Sequence, residues 1–148
     1  MSSTKYPAWT RNPNFERDGF LLVRGLWNPA ELEDSVPKVP GQYNYGDGRP
    51  ENFTYLPGEN QVSGSASRYW YPKYRQIHTG IRKEIEKRIG RKLFNTYYYD
   101  RFYFPGQELV KHTDRDACEI SVTVHVGTTL KGSAADWPIS MKRKLKWQ

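Results

Sequence analysis

The segment from residue 97 to residue 126 constrains the fold of this 148-residue chain more than any other. Residue character alternates in its first part, as a β-strand requires, because successive side chains of a strand point to opposite faces. Pro105 and Gly106 then predict a turn, residues 109–114 resume an extended course, and the β-branched residues of 120–126 predict a second strand. The sequence therefore predicts a strand, a turn and a further strand, with the preceding residues as scaffold.

Strand parity places several chemically useful side chains on common faces. In the first strand four side chains share one face: Tyr97, Tyr99, Arg101 and Tyr103. His112 and Asp114 are two residues apart, so in an extended stretch both side chains point the same way. An imidazole and a carboxylate on one face provide two adjacent ligands for a divalent metal. A histidine from elsewhere would complete the facial triad of non-heme iron enzymes.

The second strand carries a polar face that includes His125. The valines at alternate positions of this strand, Val122, Val124 and Val126, face the other way. A polar face beside a candidate metal site suggests the lining of a cavity. His125 is therefore a candidate hydrogen-bond donor to an anionic ligand, and simple solvent exposure is the alternative.

The preceding residues contain scaffold elements. An apolar run between Gly19 and Gly25 predicts a short buried strand, and Asn28 with Pro29 predicts the start of a brief helix. Residues 37–68 are rich in proline and glycine and predict a substrate-side loop with one or two short strands. Residues 69–89 predict a helix that ends at Gly90. Isoleucines at helical spacing form its apolar face: Ile77, Ile81, Ile85 and Ile89.

Composition bounds the class of protein. The length predicts one domain, and the chain contains no apolar run of about 18 residues that would predict a membrane span. The single cysteine, Cys118, cannot form an internal disulfide, which favours a reducing compartment and a cytoplasmic protein. The net charge is +7, with an extended arm predicted at residues 1–14 and a basic tail at 140–148.

The residues from Tyr103 to Asp114 carry a family resemblance. Tyr103-Phe-Pro-Gly followed by His112-Thr-Asp closely resembles the Tyr-x-Pro-Gly…His-x-Asp segment of the 2-oxoglutarate and iron(II)-dependent oxygenases, and most closely the prolyl 4-hydroxylase-like branch. The resemblance covers roughly residues 15–139. It implies an α+β, mainly β fold in which a double-stranded β-helix (jelly-roll) core is flanked by N-terminal helices.

The resemblance also implies roles for individual residues. His112 and Asp114 match the first two iron ligands, Tyr103 matches a tyrosine that lies against iron and 2-oxoglutarate, and His125 matches a residue that holds the far carboxylate of 2-oxoglutarate. No side chain is assigned a catalytic role. The implied cofactors are Fe(II), the cosubstrate 2-oxoglutarate and ascorbate. The implied reaction uses O2 to hydroxylate a peptidyl proline or another small-molecule or side-chain substrate.

One departure from the family pattern alters these expectations. Family members carry a distal histidine and a following Arg or Lys, whereas His125 is the only histidine after Asp114 and lies too close to it. We therefore expect a single incomplete domain over residues 1–148 that lacks the last β-helix strands and binds iron weakly or not at all.

Two alternatives stay open. The first alternative is an inactive, truncated pseudoenzyme that serves as an interaction module, and the second is a nucleic-acid-binding protein. The second alternative rests on composition, because eleven tyrosines, five tryptophans and an excess of Lys and Arg suit base stacking with phosphate contacts. Against it, the sequence contains no recognised nucleic-acid-binding motif.

Overall fold

The computed structural model describes residues 10–135 and 137–142, and it has an α+β fold, as the sequence predicted. Two α-helices, α1 (Pro13–Asp18) and α2 (Arg75–Ile89), accompany four strands: β1 (Gly41–Asn44), β2 (Thr54–Leu56), β3 (Ala66–Tyr69) and β4 (Tyr99–Phe102). Short 3-10 helices are found at Pro29–Glu31, Pro50–Asn52, Pro72–Tyr74 and Gly132–Ala135.

The four strands form one mixed sheet in the order β2-β1-β3-β4. Strands β1 and β3 are parallel, whereas the outer pairs β1–β2 and β3–β4 are antiparallel. The region 37–68 supplies β1, β2 and the first part of β3, which confirms the prediction of short strands within this irregular region. The length of this region follows from the sheet, because the parallel strands β1 and β3 can be joined only by a long connection.

The isoleucine stripe of α2 forms the core, as predicted. Ile81, Ile85 and Ile89 are buried, and partly buried apolar side chains pack against them: Phe15, Leu21, Leu26, Trp27, Ile77, Leu93, Ile120 and Val124. Gly90 ends the helix with a left-handed conformation at φ 69°. A Cβ atom at this position would lie 2.1 Å from the carbonyl oxygen of Thr10, so only glycine fits there.

Helix α2 begins later than the sequence predicted. The predicted start was residue 69, whereas the helix starts at Arg75. Residues up to Tyr69 belong to β3, and Pro72 opens a 3-10 turn between the two elements. The residues up to Tyr69 therefore pair in the sheet and do not join the helix. Pro72 also prevents an earlier helix start, because a proline lacks the N–H that a helix interior needs.

A buried arginine ties β3 to β4 and to the turn before α2. The Arg68 guanidinium pairs with the Asp100 carboxylate and lies 4.1 Å from the centroid of the Tyr71 ring. The Tyr74 hydroxyl lies 3.0 Å from the same carboxylate. Burial and the nearby Asp100 carboxylate raise the pKa of Tyr74, so this hydroxyl keeps its proton and acts as a donor.

The apolar run between Gly19 and Gly25 is not a strand. Leu21 packs on the isoleucine core, but Phe20 and Leu22 are 51% and 71% exposed. The run therefore covers the core with one side only, and no other described segment pairs with it. The prediction was wrong because an apolar run shows burial but does not supply the partner that a strand requires. The cap assignment that follows was right, since the Asn28 side chain accepts a hydrogen bond from the Ala30 amide.

Residues 109–114 and 120–126 are also not strands. Ile120 and Val124 pack against the core, while Val122 is 44% exposed, so the predicted valine face is not formed. The first predicted strand is shorter than expected and consists of β4 alone. Extended residues become a strand only within a hydrogen-bonded ladder, and these stretches have no paired neighbour among the described residues.

The predicted terminal segments lie partly outside the described residues. These are residues 1–9 of the predicted arm and 143–148 of the basic tail. Helix α1 begins at Pro13, inside the predicted arm, because the Asn12 side chain caps it by accepting from the Asn14 and Phe15 amides. Within the described ranges, no helix combines the length and apolar character that crossing a bilayer requires.

Replacing Ile85 with Ala tests the position of the core. The substitution removes buried methyl groups and leaves a cavity, so the free energy of unfolding should fall by about 2–5 kcal/mol in urea titrations. Lys83→Ala on the exposed side of α2 is the control and should change that free energy by less than about 0.5 kcal/mol. Equal losses in the two variants would contradict the assignment of the isoleucine face as the core.

Candidate functional site

His112 and Asp114 come together in the structure. The His112 Nε2 atom lies 3.4 Å from the Asp114 Oδ1 atom. The two side chains are 36% and 47% exposed, so a ligand can reach them from solvent. The spacing of two residues therefore brings the imidazole and the carboxylate to one place even though their segment is not part of the sheet.

Neighbouring groups orient both side chains. The His112 Nδ1 atom lies 2.9 Å from the Val110 carbonyl oxygen, which can only accept a hydrogen bond. Nδ1 therefore carries a proton, and Nε2 is the ring nitrogen that faces the carboxylate. The Ser121 hydroxyl donates to the Asp114 Oδ2 atom at 2.6 Å and leaves Oδ1 for His112. Metal-binding histidines and carboxylates commonly have such supporting hydrogen bonds.

The face predicted from the parity of β4 is confirmed by ring contacts. Tyr97 and Tyr99 are stacked with centroids 6.1 Å apart. The Arg101 guanidinium lies 5.1 Å from the Tyr99 centroid and 5.7 Å from the Tyr103 centroid. Its Nη1 atom donates to the Tyr103 hydroxyl at 3.4 Å. We refer to Tyr97, Tyr99, Arg101 and Tyr103 as the tyrosine face.

The His112–Asp114 segment lies along the tyrosine face. The guanidinium of Arg115, the next residue, is 4.9 Å from the Tyr97 centroid. Burial raises the pKa of Tyr99, the Arg101 guanidinium opposes this shift, and the nearby Tyr97, Tyr103 and Asp114 groups reinforce it. The Asp114 carboxylate is thus close enough to Tyr99 to affect its ionisation. The candidate metal ligands and the tyrosine face are therefore neighbours.

The other two predicted site residues are not joined to the metal pair by direct contacts. Tyr103 is partly buried, and its ring packs edge-on against Trp137 with centroids 4.5 Å apart. His125 is exposed. Among the described residues, no hydrogen bond or ion pair links Tyr103 or His125 to His112 or Asp114. The described ranges also contain no group of three or more His, Cys, Asp or Glu side chains that is arranged to hold a metal ion.

A buried ion pair supports the tyrosine face, and the sequence did not predict it. The Arg101 Nη2 atom lies 3.0 Å from the Glu59 Oε1 atom, and these side chains are 3% and 0% exposed. The other Glu59 oxygen accepts from the backbone amides of Gln61 and Val62 at 2.9 and 2.6 Å. No local pattern could have identified the pair, because its partners are 42 residues apart and Glu59 lies in an irregular loop.

These contacts lower the pKa of Glu59. Burial alone would raise it, but the Val62 amide, the Arg101 guanidinium and the Gln42 amide stabilise the carboxylate more strongly. Glu59 is therefore ionised at neutral pH and neutralises Arg101. As a result, Arg101 acts as a support for Tyr99 and Tyr103 and is not a free anion-binding group.

No protein-family model, no curated protein and no solved structure matches this chain. The expected likeness to oxygenases therefore rests on the motif resemblance alone. The arrangement brings one imidazole and one carboxylate together beside an aromatic surface. These two donor types suit a divalent transition metal.

The Glu59→Gln substitution tests the support for the tyrosine face. It leaves the buried Arg101 cation without a counter-charge, so the free energy of unfolding at pH 7 should fall by about 3–5 kcal/mol in urea titrations. The exposed Glu108→Gln variant is the control and should unfold like the wild type. A loss no larger than that of the control would contradict the structural role of the pair.

The same variant has an expected pH dependence. Because the folded-state pKa of Glu59 is depressed, its stabilising effect is present above the ordinary glutamate pKa of about 4.5 and is lost as pH falls through the folded value. The stability difference between wild type and Glu59→Gln should therefore shrink in acid. A difference that stays constant from neutral pH into strong acid would show that Glu59 ionisation contributes nothing.

Proposed function

We propose that this chain is an Fe(II)- and 2-oxoglutarate-dependent dioxygenase-like protein in which His112 and Asp114 hold the metal. The observation that carries the proposal is the His112–Asp114 pair at 3.4 Å, with each side chain oriented by a second hydrogen bond. The proposal includes a jelly-roll core, of which the four-stranded sheet would form a part. The substrate is a peptidyl proline or another molecule that offers an unactivated C–H bond.

The His112 and Asp114 side chains can provide two ligands to one divalent cation. An unprotonated Nε2 and a carboxylate oxygen are both acceptors, so either a proton or a metal cation can lie between them. A metal ion satisfies both, because neutral imidazole and carboxylate are ligands that iron(II) accepts. The Val110 carbonyl and the Ser121 hydroxyl then act as the outer hydrogen-bonding partners.

The remaining roles in the proposal belong to neighbouring side chains. When bound, iron(II) with 2-oxoglutarate supplies the oxygen chemistry that hydroxylates a C–H bond. The Tyr103 hydroxyl, which accepts from Arg101, has its own proton available to donate to an anionic cosubstrate. His125 would contribute a further donor to that anion, and Tyr97 and Tyr99 would line the substrate side.

One observation favours a second candidate, an inactive relative that serves as an interaction module. Among the described residues, no third side chain joins His112 and Asp114 to complete a triad. Loss of outer-shell partners alone typically lowers metal affinity or activity by about 10- to 100-fold, and the lack of a direct ligand should lower it further. Weak metal binding is therefore expected in either case, and turnover separates the two candidates.

Metal titration of matched variants tests the proposal. We expect wild-type protein to bind Mn(II), used as an oxygen-stable probe, in anaerobic or aerobic calorimetry and in electron paramagnetic resonance. His112→Ala and Asp114→Asn should weaken this binding by more than about 10-fold, because each removes a direct ligand. Asp116→Asn is the control, since this exposed carboxylate lies in the same segment and its loss changes the charge equally.

Two results decide between the candidates. Succinate formation from 2-oxoglutarate with Fe(II), lost in Asp114→Asn and retained in Asp116→Asn, would support the dioxygenase. Site-specific Mn(II) binding without succinate formation would support the inactive relative. Mn(II) binding that is the same in Asp114→Asn and in wild type would overturn the metal site itself.

A further inference from the structure

A second concave site lies on the sheet beside the tyrosine face and shares Tyr97 with it. Its cavity has a volume of about 450 Å3, within the range of small-molecule binding sites. Six of its lining residues carry the argument: Gln42, Asn44, Tyr69, Trp70, Tyr97 and Arg115. We refer to this site as the base cavity.

Aromatic rings form one side of the base cavity. Tyr69 and Tyr97 are nearly parallel, with an interplanar angle of 21° and centroids 6.4 Å apart. Tyr99 extends this surface at 4.8 Å from Tyr69. These rings stack on one another and form an aromatic cluster, and a flat ligand can contact its exposed part at Tyr99, which is 37% exposed.

The backbone at Trp70 is held in a strained conformation. Its φ is 60°, which is rare for a bulky residue, and such conformations persist where the surrounding structure enforces them. The Trp70 amide donates to the Tyr98 carbonyl at 3.1 Å, and the Trp70 ring packs edge-on against Tyr98 at 5.4 Å. The surrounding structure therefore fixes the backbone of Trp70 at the edge of the cavity, while its indole packs on Tyr98.

Two amide side chains of β1 supply polar recognition groups. Gln42 and Asn44 are two residues apart in the strand, and Asn44 is paired with Tyr69 in the sheet register. Gln42 donates through Nε2 to Glu59 at 3.3 Å, and Asn44 accepts through Oδ1 from Gly46 at 2.9 Å. The Gln42 Oε1 acceptor and the Asn44 Nδ2 donor make no other hydrogen bond among the described residues. They can therefore pair with the edge of a heterocyclic base.

Arg115 adds a positive charge at the mouth of the cavity. Its side chain is exposed, and its guanidinium lies 4.9 Å from the Tyr97 centroid. It forms no ion pair with a carboxylate within the described ranges, whereas the other arginine of this surface, Arg101, is neutralised by Glu59. The Arg115 guanidinium also hydrogen-bonds to the Tyr97 side chain, and its remaining N–H groups can contact a phosphate.

We propose that the base cavity binds a nucleobase together with its phosphate, as one unit of a single-stranded nucleic acid. Stacking aromatic rings, amides for the base edge and a cation for the phosphate are the three components that single-strand recognition uses. A net charge of +7 favours approach of a polyanion. The site needs no metal, so this inference is independent of the proposed oxygenase function.

Binding of short labelled single-stranded RNA and DNA, measured by fluorescence anisotropy in the presence of EDTA, tests the proposal. We expect single strands to bind more tightly than a duplex of the same sequence, because only unpaired bases can enter the cavity. Tyr97→Ala should weaken binding by roughly 5- to 100-fold through lost stacking. Tyr97→Phe keeps the ring but loses the hydroxyl that contacts Arg115, so it should weaken binding less than Tyr97→Ala. Circular dichroism of each variant establishes that it is folded.

A charge-matched pair of variants separates the cavity from general electrostatic attraction. Arg115→Ala should weaken binding and lower the slope of log affinity against log salt by about one. Arg24→Ala removes the same charge from an exposed position outside the cavity and should have a smaller effect. Asn44→Ala should weaken binding with an unchanged salt slope, because it removes a base contact and no phosphate contact.

The outcomes have definite meanings. If both oligonucleotides and free nucleoside monophosphates bind, and Asn44→Ala loses this binding, the base cavity is supported as a site for single-stranded nucleic acid. Binding of free nucleotides alone, with the same variant losses, keeps the base cavity but overturns the single-stranded polymer as its ligand. Equal losses in Arg115→Ala and Arg24→Ala, equal affinity for duplex and single strand, or no binding overturns the proposal.

Discussion

The pairing of β3 with β4 carries two buried guanidinium groups, one on each face, and the rest of the structure depends on them. On one face, Arg68 of β3 forms an ion pair with Asp100 of β4 and lies over the Tyr71 ring. On the other face, Arg101 of β4 forms an ion pair with Glu59. A buried ion pair is costly to break because it leaves an uncompensated charge behind. A buried ion pair therefore fixes each face of this short ladder, and breaking either pair should destabilise the fold.

This rigidity is unevenly distributed around the functional surface. Gln42, Asn44, Tyr69, Tyr99 and Arg101 lie on β1, β3 and β4, where strand register and buried charges set side-chain positions. His112 and Asp114 lie on a segment outside the sheet, and among the described residues Val110 and Ser121 are the groups that orient them by hydrogen bonds. Binding groups on regular elements are held more firmly than groups on loops. The metal pair thus has suitable chemistry but weaker support than the aromatic surface beside it.

The two candidate sites meet at consecutive residues. Asp114 faces His112, whereas Arg115 lies over Tyr97. Strand β4 links these surfaces, because Tyr99 lies close to Asp114 and also stacks on Tyr69. A ligand in the base cavity would therefore lie near the candidate metal ligands.

Local features of this protein were determined by the sequence alone. The isoleucine face of α2, the left-handed Gly90, the Asn28 cap, the shared face of β4 and the approach of His112 to Asp114 all follow from spacing over a few residues. The tertiary structure decided the parallel pairing of β1 with β3, the Glu59–Arg101 pair and the absence of strands at 20–25 and 120–126. Strands and buried ion pairs need partners that are distant in the chain, and a local pattern contains no information about which partner is present.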